Sequence, residues 1–195
     1  MDTGDVERLL GYQDAALPID TIEPIGPDLL TIPFWTPAMC DTVIRAAEAV
    51  GAWQPDPDDP VPGNEVSLMS ISPRLFAHVE DHLCELWPLV QEHWETAEFV
   101  GVHDAFIIRY DAVERPELPL HHDVGQVSAS LKLNDDYDGG VLEFPRQRVD
   151  NGAVPVGHLT MWPSLVTHPH RSTPVTRGTK YGLTIWCSIP GATIG

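Results

Sequence analysis

In the first half of the chain apolar residues recur at three- and four-residue steps; in the second half they alternate with polar ones in short runs. The first rhythm is clearest at Leu75, Val79, Leu83, Leu86, Val90 and Trp94, a spacing that puts all six on one face of a helix. Ser72-Pro73 supplies its start, and Pro88 predicts a kink or a split, because proline lacks the amide donor an interior turn needs. Met39, Val43, Ile44 and Ala47 predict an earlier helix, with Thr36 as its N-cap, Pro37 in its first turn and Gly51 as its stop. From Phe99 onward the period becomes two, and strands are predicted over 99–110, 126–134, 141–144, 158–162 and 181–189. The run Asn-Asp-Asp-Tyr-Asp-Gly-Gly over 134–140 reads as a turn. Helices followed by many short antiparallel strands make a mainly β protein with packed helices (α+β). The expected core is a double-stranded β-helix of the jelly-roll or cupin-like kind, with the N-terminal helices on one sheet.

Before this domain, Pro18, Pro24, Pro27 and Pro33 interrupt any long element, although Leu29, Leu30 and Ile32 can form a short strand. Residues 1–33 are therefore expected to be an N-terminal extension, and residues 34–195 the domain. The proline-rich run over 54–63 cannot be regular structure and reads as an exposed loop, or as a flap over a site. His78, His82 and His93 lie on the predicted second helix and read as solvated residues.

A chain of 195 residues is long enough to bury the core of one domain. Its formal charge of −18 argues against a nucleic-acid partner, which needs a basic footprint, and suits solubility or a cationic substrate. Cys40, Cys84 and Cys187 are scattered and odd in number, so neither a disulfide framework nor a cysteine zinc site is expected. The acidic start MDTGDVERLL carries no signal-peptide pattern, and no apolar run approaches a membrane span. A cytoplasmic protein with no membrane partner is the expectation.

The chemistry concentrates at His121-His122-Asp123, at His168-Pro169-His170 and at Lys180. His121, Asp123 and His170 are two imidazoles and a carboxylate, the facial set that holds non-haem Fe(II) and leaves positions open for cosubstrate and O2. Residues two apart on a strand share a side, so His121 and Asp123 can reach one ion while His122 points away. His168-x-His170 offers a competing zinc-like pair. Lys180 argues against zinc, since a dicarboxylate cosubstrate needs a cation for its far carboxylate. If Lys180 faces the interior, Gly182, Thr184 and Trp186 share its side, and Thr184 can add a hydroxyl to the same carboxylate. Ser128, Ser130, Lys132 and Asn134 share one face of another strand. Lys132 there is either a second cation for the carboxylate or a solubilising lysine. Tyr110 is either a pocket hydroxyl or a core aromatic.

These residues sit in stretches that resemble the Fe(II)/2-oxoglutarate-dependent dioxygenases of the prolyl/lysyl hydroxylase superfamily, most closely the procollagen lysyl hydroxylase catalytic domain. The stretches are 34–53 (FWTPAMCDTVIRAAEAVGAW), 105–123 (AFIIRYDAVERPELPLHHD), 131–144 (LKLNDDYDGGVLEF) and 165–181 (LVTHPHRSTPVTRGTKY). The resemblance implies an Fe(II) site at His121, Asp123 and His170, with Lys180 on the C5 carboxylate of 2-oxoglutarate. It places Tyr110, Lys132 and Thr184 among the cosubstrate contacts. The collagen enzymes carry arginine at the position of Lys180, and prolyl 4-hydroxylases carry lysine. A carboxylate at Asp123 favours hydroxylation over halogenation. The implied reaction consumes O2, with ascorbate as a candidate auxiliary reductant, and releases succinate and CO2. Its implied substrate is an amino acid, free or within a peptide or protein, with lysine first, and a homodimer is one admissible assembly. The contrasting class is a jelly-roll metal-binding or sensor domain without turnover.

Overall fold

The computed structural model describes residues 4–11, 15–19, 21–54, 63–95 and 97–188. In chain order these form α1 (Gly4–Gly11), β1 (Glu23–Gly26), β2 (Leu29–Pro33), α2 (Pro37–Val50), β3 (Glu65–Ser67), α3 (Leu68–Ile71) and α4 (Pro73–Gln91). Then follow β4 (Val102–Asp111), β5 (Leu118–His121), β6 (Val127–Lys132), β7 (Asp138–Gly139), β8 (Leu142–Phe144) and β9 (Val149–Asp150). The chain closes with β10 (His158–Pro163), a 3-10 turn (Leu165–Thr167), β11 (His170–Ser172), β12 (Val175–Arg177) and β13 (Thr179–Cys187). No helix among the described residues is long and apolar enough to cross a membrane. All three cysteines are free thiols.

Both predicted helix starts hold at atomic detail. The Thr36 hydroxyl accepts from the Met39 amide at 3.2 Å, satisfying one donor the first turn leaves open. Gly51 ends α2 at φ 63°, its amide reaching the Ala47 carbonyl. Ser72 caps α4 through the Leu75 amide and also donates to Glu7 at 2.7 Å, tying α1 to the start of α4. α4 runs through Pro88 as one helix and is not split. Pro88 and Cys84 are both exposed, so the carbonyl that loses its amide partner there faces water.

Seven strands make the larger sheet, in the order β1-β2-β10-β6-β13-β4-β3, and four make the smaller, β5-β11-β8-β9. The pair β12-β7 stands apart, so the predicted turn over 134–140 ends in a short strand. All pairings are antiparallel. Alternation divides the larger sheet cleanly. Ile107, Leu131, Leu159, Met161, Leu183 and Ile185 point outward into the main core, under α2 and α4. Phe106, Ile108 and Tyr110 point the other way, toward the smaller sheet. The double-stranded β-helix with helices on one sheet, expected from the pattern, is the observed fold.

Two expectations need correction. Residues 1–33 are not an appendage, because β2 pairs with β10 inside the larger sheet and Val6 of α1 is fully buried. Pro33 could deceive because it closes β2 and Pro24 lies in edge strand β1, where a missing donor is tolerated. His82 is not solvated but 8% exposed, with its ring 4.6 Å from Phe34 and stacked 6.0 Å from His78. Steps of three and four from Val79 and to Leu86 place residue 82 on the inner stripe, which the polar letter hid. The proline-rich flap falls on 55–62 and lies outside the described residues.

Burial pulls the His82 imidazole below its ordinary value of 6.5, helped by His78 and opposed by Glu85. A folded-state value below the unfolded one means the unfolded chain binds more protons, so stability falls as pH drops below 6.5. Thermal unfolding from pH 7 to pH 5 should show a melting temperature that declines less steeply in His82→Leu than in the parent; parallel curves would reject this role.

Candidate functional site

β5 and β11 are antiparallel neighbours, and their register sets His121 directly opposite His170. The two rings lie 4.4 Å apart between centroids. Asp123, two residues past the end of β5, turns back between them. Its Oδ1 is 3.6 Å from His121 Nε2 and 3.7 Å from His170 Nε2. Ligand atoms of these three residues lie within 4.8 Å of one another, the one such His, Cys, Asp or Glu cluster among the described residues.

Each imidazole is held by its other nitrogen. His121 Nδ1 donates to the Pro119 carbonyl at 2.8 Å, and His170 Nδ1 to the His168 carbonyl at 3.0 Å. A carbonyl oxygen only accepts, so Nδ1 carries the proton in both rings and Nε2 presents its lone pair to the cluster. Carbonyls at the same offset, two residues back along the chain, thus preset both tautomers before any metal arrives. Phe144 and Trp162 pack around His170 at 5.4 and 4.8 Å and fix its plane. Burial, only partly offset by Asp123, lowers the His170 value to about 4, so the ring is neutral and able to ligate at neutral pH. Burial pushes the Asp123 carboxyl up, yet its net shift is downward through His121, His170 and Ser128. Asp123 is 5% exposed, and its Oδ2 is buried without a hydrogen-bond partner. Two oriented nitrogen donors and a hard anionic oxygen with an unused atom fit a divalent cation such as Fe(II).

His168 does not join this set. Its Nδ1 meets the Thr167 hydroxyl at 3.0 Å and its Nε2 the Pro27 carbonyl at 3.2 Å, so both ring nitrogens are engaged elsewhere. The His168-x-His170 zinc pair is therefore not formed. His122 is exposed at the cavity rim, outside the ligand cluster.

One cavity of about 300 Å3 extends from the triad between the two sheets. At its deep end Lys180 and Tyr110 are direct cross-strand partners on β13 and β4, with the ammonium 4.5 Å from the phenol ring centroid. Lys180 is 9% exposed, and its Nζ donates to the Ser172 hydroxyl at 2.9 Å. Among the described residues no carboxylate pairs with it. Burial first, and Lys132 second, lower its value to about 7. Burial likewise pushes the Tyr110 phenol up, despite the Ser172 hydroxyl beside it. Gly140, at φ 64°, lets the backbone pass close here, since a Cβ would stand 3.1 Å from Lys180 Cδ and 2.8 Å from Val175.

The predicted alternation of β13 is exact: Lys180, Gly182, Thr184 and Trp186 all line the cavity, while Leu183 and Ile185 pack the outer core. Thr184 stands four residues, or about 13 Å, further along the strand, and the Lys180 ammonium is bonded to Ser172 rather than to it. It faces the middle of the cavity, beside Phe106 and Ser130. Lys132 does not line this cavity. Its Nζ donates to the Val154 carbonyl at 3.1 Å, and it lines a separate polar hollow with Tyr137 and Asn151. Its bearing on the site is through its charge, felt by Lys180. The residue that sequence reasoning missed is Ser172, although its signal was available: it stands two past His170 and so shares that ligand's side of β11.

No family model matches the chain. In sequence it is 28% identical over 176 residues to the rat procollagen-lysine,2-oxoglutarate 5-dioxygenase 1, an alignment covering 82% of this chain and 24% of that protein. The chain thus spans about a quarter of the length of the curated relatives it matches. In fold it superposes on a viral collagen prolyl hydroxylase from Paramecium bursaria Chlorella virus-1 in complex with 2-oxoglutarate. That match has a TM-score of 0.61 at 16% identity, covering 84% of this chain and 97% of that one. It superposes equally on a Pseudomonas putida prolyl-4-hydroxylase, with TM-score 0.62, 17% identity and coverage of 96% and 99%. The resemblance to the prolyl/lysyl hydroxylase superfamily drawn from the residues is borne out, and the fold is that of its solved prolyl hydroxylases.

Loss of a ligand should separate cleanly from loss of its neighbour. His170→Ala should weaken Mn(II) or Fe(II) binding by about 100-fold or more, whereas His168→Ala should change it by about threefold at most. Equal losses in an equilibrium titration would return His168 to the ligand set.

Proposed function

We propose that this chain is an Fe(II)- and 2-oxoglutarate-dependent hydroxylase acting on an aliphatic C–H bond of an amino acid, free or within a peptide or protein. The observation that carries this reading is one cavity with the His121–Asp123–His170 cluster along it and a buried ammonium at its closed end. Fe(II) held by the three ligands would supply the O2 chemistry that couples decarboxylation of 2-oxoglutarate to succinate and CO2 with oxygen insertion into the substrate. The chain's own residues do the rest. Asp123 contributes the anionic ligand, and the Nδ1–H bonds of His121 and His170 keep both nitrogen donors aimed. Lys180 attracts the far carboxylate of the diacid, and Tyr110 walls the space beside it. Leu118, Leu142 and Phe106 are buried around the same cavity and exclude water from it.

A substrate of lysyl type is the finer part of the proposal. Asp104 lines the cavity wall near Phe106 and Trp186, whose rings meet edge to face at 5.2 Å, while Glu65 lines it further along, opposite Ile108 and near Tyr110. A carboxylate with perpendicular aromatic faces suits an alkylammonium, and the chain's charge of −18 draws cations toward it. The matched rat protein carries lysine in its name, which points the same way.

Two outcomes test the reading. With its value near 7, Lys180 loses its proton above that pH unless a carboxylate raises it again, so cosubstrate binding takes up a proton. The 2-oxoglutarate Kd should therefore be flat below pH 6.5 and rise above pH 7, by up to about tenfold per unit, with proton uptake visible in calorimetry across buffers. A pH-independent Kd would remove Lys180 from that role. Succinate release should be stimulated by free lysine or short lysyl peptides more than by acetyl-lysyl counterparts, and Asp104→Asn should cut kcat/KM for the cationic substrate about tenfold. No stimulation by any lysyl compound would end the lysyl assignment.

A further inference from the structure

We propose that Ser172 is a direct contact of the cosubstrate's far carboxylate, so that its hydroxyl and the Lys180 ammonium grip that group together. The inference rests on the hydroxylase reading and extends it to a residue the cosubstrate assignment did not include. Ser172 lines the cavity, is 2% exposed, and accepts from Lys180 Nζ at 2.9 Å. An ammonium can only donate, so the serine oxygen is the acceptor in that contact and its own hydrogen is directed elsewhere. With the Tyr110 phenol beside the same hydroxyl, an ammonium and two hydroxyls converge at the closed end of the cavity.

The strand supplies the spacing. Ser172 is locked opposite Leu118 on one side and Leu142 on the other, as His170 is locked opposite His121. Two residues apart on one side of a strand, the metal ligand and the hydroxyl stand about 7 Å apart at their Cα atoms. That is the scale on which a five-carbon diacid joins a metal at its keto-acid end to a cation at the other. Thr184, the hydroxyl expected from alternation on β13, stands about 13 Å along its strand from Lys180 and is not the hydroxyl its ammonium meets. Lys132 is turned toward Val154. Ser172 is the hydroxyl already in place.

Calorimetric titration of the Mn(II)-loaded protein with 2-oxoglutarate and with 2-oxopentanoate, which lacks the far carboxylate, tests this without turnover. Ser172→Ala should raise the 2-oxoglutarate Kd about tenfold and leave that of 2-oxopentanoate within about twofold. Ser172→Thr should retain 2-oxoglutarate binding, while Ser172→Val, of the same shape without the hydroxyl, should lose it as alanine does. Equal losses for both keto acids, or a diacid preference undiminished in the alanine and valine variants, would overturn the assignment. A parent protein that binds the two keto acids alike would instead refute the cosubstrate reading beneath it, and the two failures are told apart by the parent titration alone.

Discussion

A buried charge without a counter-ion is among the costliest things a fold can hold, and this one holds two in one cavity. Asp123 keeps an unpartnered carboxylate oxygen below the surface, and Lys180 keeps an ammonium whose described partner is a neutral hydroxyl. Neighbours relieve them only in part: His121, His170 and Ser128 hold the Asp123 carboxyl down, but His170 is too deeply buried to carry a proton at neutral pH, and Lys132 adds repulsion to Lys180. Under the proposed function both charges would be satisfied at once, by a divalent cation at the triad and a dicarboxylate reaching from it to the lysine. The disposition of the sheets is best understood as what keeps these two sites rigid, facing and dry.

Rigidity comes from register. His121 and His170 are partners across β5 and β11; Lys180 and Tyr110 are partners across β13 and β4. A slip of one residue in either pair would turn these side chains out of the cavity. Such slips are resisted on the outer face, where Leu183, Ile185 and Ile107 would leave the core beneath α2 and α4. The helices therefore matter to the chemistry although none contributes a ligand. β11 links the two ends most tightly, since three residues carry both a metal ligand and the hydroxyl that receives Lys180.

What the chain reveals before folding follows from how local each signal is. Thr36 and Ser72 were readable as caps because capping is decided within four residues. The cavity face of β13 was readable because a period of two needs no partner to be seen. The triad was readable because two imidazoles and a carboxylate are chemically distinctive at any separation. The direction a long side chain takes was the blind point: Thr184 shares a side with Lys180, yet the ammonium meets Ser172, and sidedness alone does not say so. Lys132 shares its side of β6 but lies at the end of that strand, where it turns to a backbone carbonyl instead. His82 was hidden because polarity outweighed position in the reading of α4, and the N-terminal strand because its proline content suggested a tail.

Lysine, rather than arginine, at position 180 has a consequence for what must surround it. A guanidinium brings parallel N–H donors in a fixed fork and can meet both oxygens of a carboxylate alone. An ammonium is a compact point charge, and its three donors diverge, so only part of its hydrogen-bonding capacity can face one carboxylate. The remaining oxygen then needs a separate donor within reach of the ammonium. Ser172 is small, sits on β11 of the other sheet and is already hydrogen-bonded to the ammonium. Tyr110, held opposite Lys180 by the β4–β13 register, adds a second hydroxyl and a ring face that favours a cation. On this reasoning the lysine, the serine and the tyrosine form one unit, and replacing Lys180 by arginine would be an overpacking change at a fully buried site rather than a conservative one.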